Sequence, residues 1–276
     1  MEQKKTYMLF SALLIIFLLA ACSIPSNSPA NSQSTQTASI AFTATPTVPT
    51  ATVESPTPVA AQGLCTNLYY PVRQGATWTY KSTGGPAGEY GFTDTITSVG
   101  TDGFTLSTQI GDRTRSLEWT CTAEGLTALQ LGGAPAAMLN SQGIQMDLDV
   151  SNVTGVTFPS QINPGDHWQQ NMDVAGNVTA MNEEAEAAGT AQMSFNAMGT
   201  ESLTVPAGAF DALKVQVDVT LNLNAKYEGI TLPVTFSGVY TYWFAPNVGW
   251  VKASGTGNVL GNSFTDTTEL QSYNIP

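Results

Sequence analysis

The chain has 276 residues, with 21 acidic against 9 basic side chains and a single histidine, for a formal charge of −12. That balance argues against nucleic acid as a partner and against electrostatic adhesion to anionic lipid, both of which need clustered Lys and Arg. Charged residues are only 11% of the composition, so Thr, Ser, Asn, Gln and Gly must cover most of the surface, a style that suits β-sheets better than helices.

Residues 1–21 read as a leader. Lys4 and Lys5 precede an apolar run from Leu9 to Leu19 that is too short for a comfortable membrane span, and the small pair Ala20-Ala21 follows. The next residue is Cys22. Leu-Ala-Ala-Cys resembles the lipobox of bacterial lipoproteins. The resemblance implies that the Cys22 sulfur is acylated, that the leader is cut away, and that the new amino terminus is held at a membrane on its extracytoplasmic side. Two or three acyl chains hold a protein stably where one does not. An ordinary secretory signal with a cysteine nearby, or an uncut anchor, is the alternative reading. Ser23 is not the Asp that retains many lipoproteins at an inner membrane, so the expected address is the outer-membrane side or the cell surface.

Residues 22–63 form a tether after the lipidated cysteine, rich in Ser, Thr, Pro, Ala, Asn and Gln. So little apolar surface cannot offset the entropy of ordering the segment. Its ends would lie roughly 35 Å apart when flexible and on the order of 130 Å when stretched. Setting Cys22 aside for lipid leaves Cys65 and Cys121 as a disulfide candidate closing a loop of about 55 residues, which is about 4 kcal/mol in the chain-entropy model. Two buried free thiols are the alternative.

The segment 64–276 shows a two-residue apolar period. In ALKVQVDVTLNLNAKY, Leu213, Val215, Val217, Val219, Leu221 and Leu223 alternate with Lys214, Gln216, Asp218, Thr220, Asn222 and Asn224, a pattern no helix keeps on one side. The same period recurs from Phe104 to Ile110, from Leu117 to Cys121, from Ala191 to Ala197 and from Val234 to Phe244. Turn signals such as Gly111-Asp112, Pro206-Ala207-Gly208 and Pro246-Asn247-Val248-Gly249 stand between the runs. The pattern predicts an all-β single domain of about ten to twelve long antiparallel strands in a strongly curved sheet, an open barrel or a sandwich. Helix is expected to be scarce. Residues 134–140 could make a turn or two, and the acidic stretch 182–189 either a short helix or, better, a hairpin loop. A weak repeat of aromatic-Pro followed by Gly-x-x-Trp, at Tyr70-Pro71 with Gly75 to Trp78 and at Phe158-Pro159 with Gly165 to Trp168, divides the domain into halves 64–156 and 157–276 unless it arises by chance.

YYPVRQGATWTYKSTG, LTVPAGAFDALKVQV and YTYWFAPNVGWVKASG resemble the recurring blocks of a family of bacterial envelope proteins, often lipoproteins, with the pattern Y-P-x-x-x-G-x-x-W-x-Y, V-P-A-G-x-F-x-A-L-K-V and Y-W-F-A-P-x-V-G-x-V-K. The match spans most of residues 68–273. It implies long antiparallel strands, an architecture related to curved half-barrel lipoprotein carriers, and no established activity; the blocks themselves look structural.

Catalytic chemistry finds little support. His167 is the one histidine, no Gly-x-Ser-x-Gly elbow accompanies it, and Gly-Asp-His-Trp reads as a turn before a core tryptophan. Asp147, Asp149 and Asn152 lack the glycine and distal Glu of a calcium loop, so no metal and no cofactor is expected. The expected function is a noncatalytic, lipid-anchored envelope module that binds an apolar molecule, a glycan or a partner protein. Val217, Phe236 and Tyr240 are the candidate ligand residues beneath an apolar concavity. Aromatics on strands 78–80 and 240–243, some expected to face away from the core, are candidates for stacking on sugars. A structural or assembly accessory of the envelope is the alternative, and a hydrolase a distant third.

Overall fold

The computed structural model describes residues 63–85, 88–132, 145–180, 183–259 and 262–276. Its strands run in chain order as β1 (Thr77–Gly84), β2 (Tyr90–Val99), β3 (Gly103–Ile110), β4 (Arg113–Cys121), β5 (Gly125–Ala128), β6 (Gln145–Gly155), β7 (Phe158–Pro159), β8 (His167–Ala180), β9 (Glu183–Val205), β10 (Gly208–Tyr227), β11 (Ile230–Ala245), β12 (Gly249–Val259) and β13 (Asn262–Asn274). All thirteen belong to one antiparallel sheet in the order β6-β8-β9-β10-β11-β12-β13-β1-β2-β3-β4-β5-β7. The sandwich alternative therefore falls away. The count exceeds the expected ten to twelve because β5 and β7 are too short to show an alternation.

One further expectation is corrected. The acidic stretch at 182–189 is neither helix nor loop where it is described, since β9 begins at Glu183 and carries Ala187 buried between exposed Glu186 and Ala188. From Glu184 to Ala187 the carboxylates are exposed and the alanines between them are turned inward, which fits a half-wet strand. The segment expected to turn around 134–140 lies outside the described residues.

Chain connectivity makes the sheet curl. β6 and β7 are its two edges, yet Gly155 pairs with Gln170 on β8 while Phe158, three residues later, pairs with Leu126 on β5. Three residues span at most roughly 11 Å, so the edges must approach each other, and the result is a strongly curled half-barrel. Side chains stitch the approach. Thr157 N–H donates to the Leu126 carbonyl at 2.9 Å, Ala128 N–H donates to Thr157 Oγ1 at 2.8 Å, and that hydroxyl donates to Gln170 Oε1 at 2.8 Å. Gln170 Nε2 then donates to the Ala128 carbonyl at 3.1 Å, so both ends of this fully buried amide are satisfied. Gly155, at φ +77°, permits the crossing, because a Cβ there would lie 1.9 Å from the Gln169 carbonyl oxygen.

Inward positions of the alternations build two clusters. The first gathers Tyr70, Trp78, Tyr80, Phe92, Trp119, Phe158, Phe244 and Trp250. Tyr80 stacks on Trp250 with centroids 3.8 Å apart, and its hydroxyl donates to the Trp250 carbonyl at 3.0 Å. The Cys65–Cys121 disulfide, with Cα atoms 5.0 Å apart, ties the start of this unit to the end of β4. The second cluster is more aliphatic, with Leu148, Met172, Val174, Leu221, Leu223, Phe236 and Tyr240. Gly255 faces the Tyr240 ring, and a Cβ there would come 2.7 Å from it. Pro56–Pro276 forms one compact unit. Every strand pairing, both clusters and the disulfide lie within it, so the unit contains the interactions that hold it together.

Trp78 and Trp168 each stand second in a strand after a positive-φ glycine, Gly75 and Gly165. Each donates its indole N–H to a backbone carbonyl, Val248 at 2.6 Å and Thr157 at 3.1 Å. Trp78 and Tyr80, on one parity of β1, are both buried, so neither faces away from the core as the sequence reading expected of that strand.

Candidate functional site

The two clusters leave a space between them. Val217 and Val219 of β10, Phe236 and Tyr242 of β11, and Leu117 and Trp119 of β4 are among the walls of an interior cavity of about 160 Å³. These walls follow from the alternation, which turns every second side chain of each strand inward. Met146 of β6 lines the same cavity and also a polar cleft of about 420 Å³ between the β3–β4 hairpin and strands β6, β8 and β9. Arg115 and Asp147 face each other across that cleft. Burial pushes the Arg115 guanidinium below its ordinary range, and the Asp147 charge opposes that shift.

Polar groups enter the apolar interior at few points. Asp94, between Phe92 and Ile96 on the inward parity of β2, is 7% exposed and lines the cavity. Its Oδ1 accepts a hydrogen bond from Thr108 Oγ1 at 2.5 Å. Burial raises its carboxyl to about 7, and the Thr108 bond to the charged form opposes part of that rise. Trp119 Nε1, on another part of the wall, is buried without a hydrogen-bond partner.

A second inward carboxylate sits on β13. Asp266 is 3% exposed and accepts from Ser82 Oγ at 2.5 Å and from Thr268 Oγ1 at 3.4 Å. Burial raises its carboxyl, while Ser82, Thr268 and the Thr267 backbone pull it down. The Tyr240 hydroxyl feels the Asp266 charge, is itself raised mainly by burial, and has no hydrogen-bond partner.

The residues named from sequence fall in different places. Val217 and Phe236 line the cavity, whereas Tyr240 is buried in the second cluster beside it. Cys22 lies outside the described residues. His167 is exposed at the start of β8. Asp147 and Asp149 sit on the wet parity of β6, and Asn152, at φ +50°, donates to Asp173 Oδ2 at 2.7 Å. Among the described residues no group of three His, Cys, Asp or Glu side chains is placed to hold a metal ion. On the outer face, Trp243 has Lys214 of β10 and Lys252 of β12 over its ring, 5.5 and 5.9 Å from the centroid, and donates to Glu201 Oε2 at 3.2 Å. Ammonium groups from both flanking strands thus occupy the space a stacked sugar would need.

Asp94, Asp266 and Gln170 escaped the sequence reading. The signal that marks them is a polar residue on the apolar parity of a strand, as in Phe92-Asp94-Ile96 and Gln170-Met172-Val174.

Among curated proteins none matches this sequence. Solved structures with a similar fold include a Bacteroides fragilis protein designated as exported with a YmcC-like fold, at 15% identity and TM-score 0.49 over 76% of this chain and 100% of that one. A Parabacteroides distasonis protein designated as a lipoprotein matches at 16% identity and TM-score 0.43, over 76% of this chain and 99% of that one. The hypothetical lipoprotein YmcC of Escherichia coli matches at 12% identity and TM-score 0.32, over 73% and 85%. The family model described as DUF3108-like matches residues 114–258. That span runs from β4 to β12, takes in the cavity walls of β10 and β11, and covers just over half of the sequence, so the chain belongs to the DUF3108-like family.

Proposed function

We propose that this protein is a bacterial lipoprotein, held at a membrane through acylated Cys22, whose noncatalytic β domain takes an apolar ligand into its curled sheet in the cell envelope. The observation that supports this reading is the interior cavity between the two clusters, walled by Val217, Phe236, Leu117 and Trp119. At about 160 Å³ it is of the order of apolar cavities that stay dry and accept benzene, and smaller than the roughly 300–1,000 Å³ pockets that bury drug-sized molecules. Its fitting occupant is a compact apolar molecule, or the end of a longer one.

The test is saturable binding of an apolar fluorescent probe to the unit Pro56–Pro276. Binding should be lost in Val217→Trp, which fills the cavity, while the circular dichroism of the sheet persists. If the unit binds no probe, its interior serves packing alone and the structural-accessory reading replaces this one. The anchor is tested separately. Cys22→Ser should move the protein from the membrane fraction to soluble or uncleaved forms and abolish labelling by a fatty-acid analogue; unchanged membrane retention with normal cleavage would overturn it. Turnover of an envelope substrate that disappears in His167→Ala, with the fold intact, would overturn the noncatalytic part.

A further inference from the structure

An isolated carboxyl on the apolar wall of a cavity is costly, and structures keep such groups satisfied. Asp94 is the least satisfied of the buried carboxyl and amide side chains of this interior, and it shares the cavity wall with the unpartnered Trp119 indole N–H. Gln170 has both ends of its amide engaged, and Asp266 has two hydroxyls. Asp94 has the Thr108 hydroxyl on Oδ1, and none of the ion pairs among the described residues involves it. Of its other polar neighbours, the Tyr70 hydroxyl lies close enough to feel its charge, and two more are committed elsewhere. Trp78 of β1 pairs with it in register but sends its indole N–H to Val248, and the Tyr80 hydroxyl donates to Trp250. A carboxyl with one engaged oxygen therefore borders a space whose walls are otherwise largely hydrocarbon.

We infer that the cavity takes a ligand with one hydrogen-bond-donating head, a hydroxyl or an ammonium, on a compact apolar body, and that Asp94 receives that head. The inference rests on the cavity reading above and adds the chemistry of the ligand. Apolar walls set size, and a single buried acceptor sets orientation and rejects molecules that leave it unpaired. Anionic heads are excluded, because they would bring a second negative charge beside the carboxylate.

Three near-isosteric probes decide the matter on the unit Pro56–Pro276 by calorimetry: cyclohexylmethanol, cyclohexylmethylamine and ethylcyclohexane. The alcohol and the amine should bind at least about tenfold more tightly than the hydrocarbon, consistent with a buried acceptor left unpaired by the latter. Raising the pH from about 6 to about 8 should strengthen amine binding by up to about tenfold, as Asp94 ionises, and leave alcohol binding nearly flat. The other groups facing Asp94 do not titrate there. Tyr70, from the segment before β1, and Tyr80 of β1 are raised well above the ordinary tyrosine range by burial; Thr108 of β3 does not ionise; and Arg115 of β4, in register with Thr108, stays charged.

Asp94→Asn, close in shape to the native residue, should abolish the pH dependence and the preference for the amine over the alcohol. Asp94→Leu should raise hydrocarbon binding. Equal affinity for all three probes, or amine binding unchanged in Asp94→Asn, would overturn the role of Asp94 while leaving the cavity reading intact. Binding of none of the three would overturn both.

Discussion

Asp94 and Asp266 are two buried carboxylates on either side of β1, and their surroundings differ in a way that separates structure from function. Asp266, on β13, is held by Ser82 of β1 and Thr268 of its own strand, with Tyr240 close enough to feel its charge. Those groups come from three elements that the sheet brings together, so the carboxylate acts as a strut that satisfies hydroxyls with no access to water. Asp94, on β2, has one hydroxyl and faces a cavity. Both lie on an inward parity. What distinguishes them is whether the neighbouring strands supply donors or leave the carboxyl to something from outside.

The largest expected effect of breaking this contrast is on stability against pH. The Asp94 carboxyl stands at about 7 in the folded protein, against about 3.9 when unfolded. Between those values the folded state binds more protons than the unfolded one, so stability falls as pH rises from about 4 to about 7 and is flat above. Asp94→Asn removes the ionisable group and keeps an acceptor for Thr108. It should flatten that slope and, at pH 8, stabilise the unit by on the order of 2–4 kcal/mol. Urea midpoints measured at pH 5 and pH 8 check this. An equal change at both pH values would mean that Asp94 is not the titrating group.

Asp266→Ala should act in the opposite direction and more weakly. It strips the Ser82 and Thr268 hydroxyls of their shared acceptor at fully buried positions. Leaving such donors unmet costs about 1–3 kcal/mol. Part of that loss is offset, because the substitution also removes a carboxyl raised by burial. Denaturant titration at pH 5, where the Asp94 carboxyl is largely protonated in the folded state, is the cleaner reading. A gain in stability at that pH would show that the hydroxyls satisfy each other, through the Thr268 to Ser82 bond of 3.2 Å, and the strut description would fail.

How far the sequence carries a reader follows the same division. The alternation from Leu213 to Leu223 and from Val234 to Phe244 is a local property, and it marked β10, β11 and two of the cavity walls, Val217 and Phe236, correctly as inward. Turn chemistry was local too: Asn247 at φ +58° and Gly249 at φ +104° form the β11–β12 turn that Pro246-Asn247-Val248-Gly249 signals. The alternation places Tyr240 inward, but which inward residues border empty space depends on neighbours such as Gly255, fifteen residues away and directly opposite it across the β11–β12 hairpin. The sheet's closure rests on Thr157 and Gln170 meeting Ala128 across the seam, a long-range contact with no periodic signature. Asp94 stands between Phe92 and Ile96 on an apolar parity, a local anomaly whose cause, the cavity in front of it, is set by strands distant in sequence.

The smallest effect tests the one contact Asp94 does have. Thr108→Val keeps the volume and the β-branch that suits a strand and deletes only the hydroxyl. That hydroxyl donates to the charged form of Asp94 and so holds the carboxyl lower than burial alone would. Without it the Asp94 midpoint should move further above its present position. Stability should fall by about 1 kcal/mol at pH 8, where the charged carboxylate loses its donor, and change little at pH 5, where the protonated carboxyl needs no donor. Thr108 also borders the polar cleft between the β3–β4 hairpin and β6, so its hydroxyl has a second role available, hydration of that cleft. A pH-independent loss, with the Asp94 titration observed by carbon-detected NMR unmoved, would assign the hydroxyl to the cleft and leave Asp94 with no fixed partner.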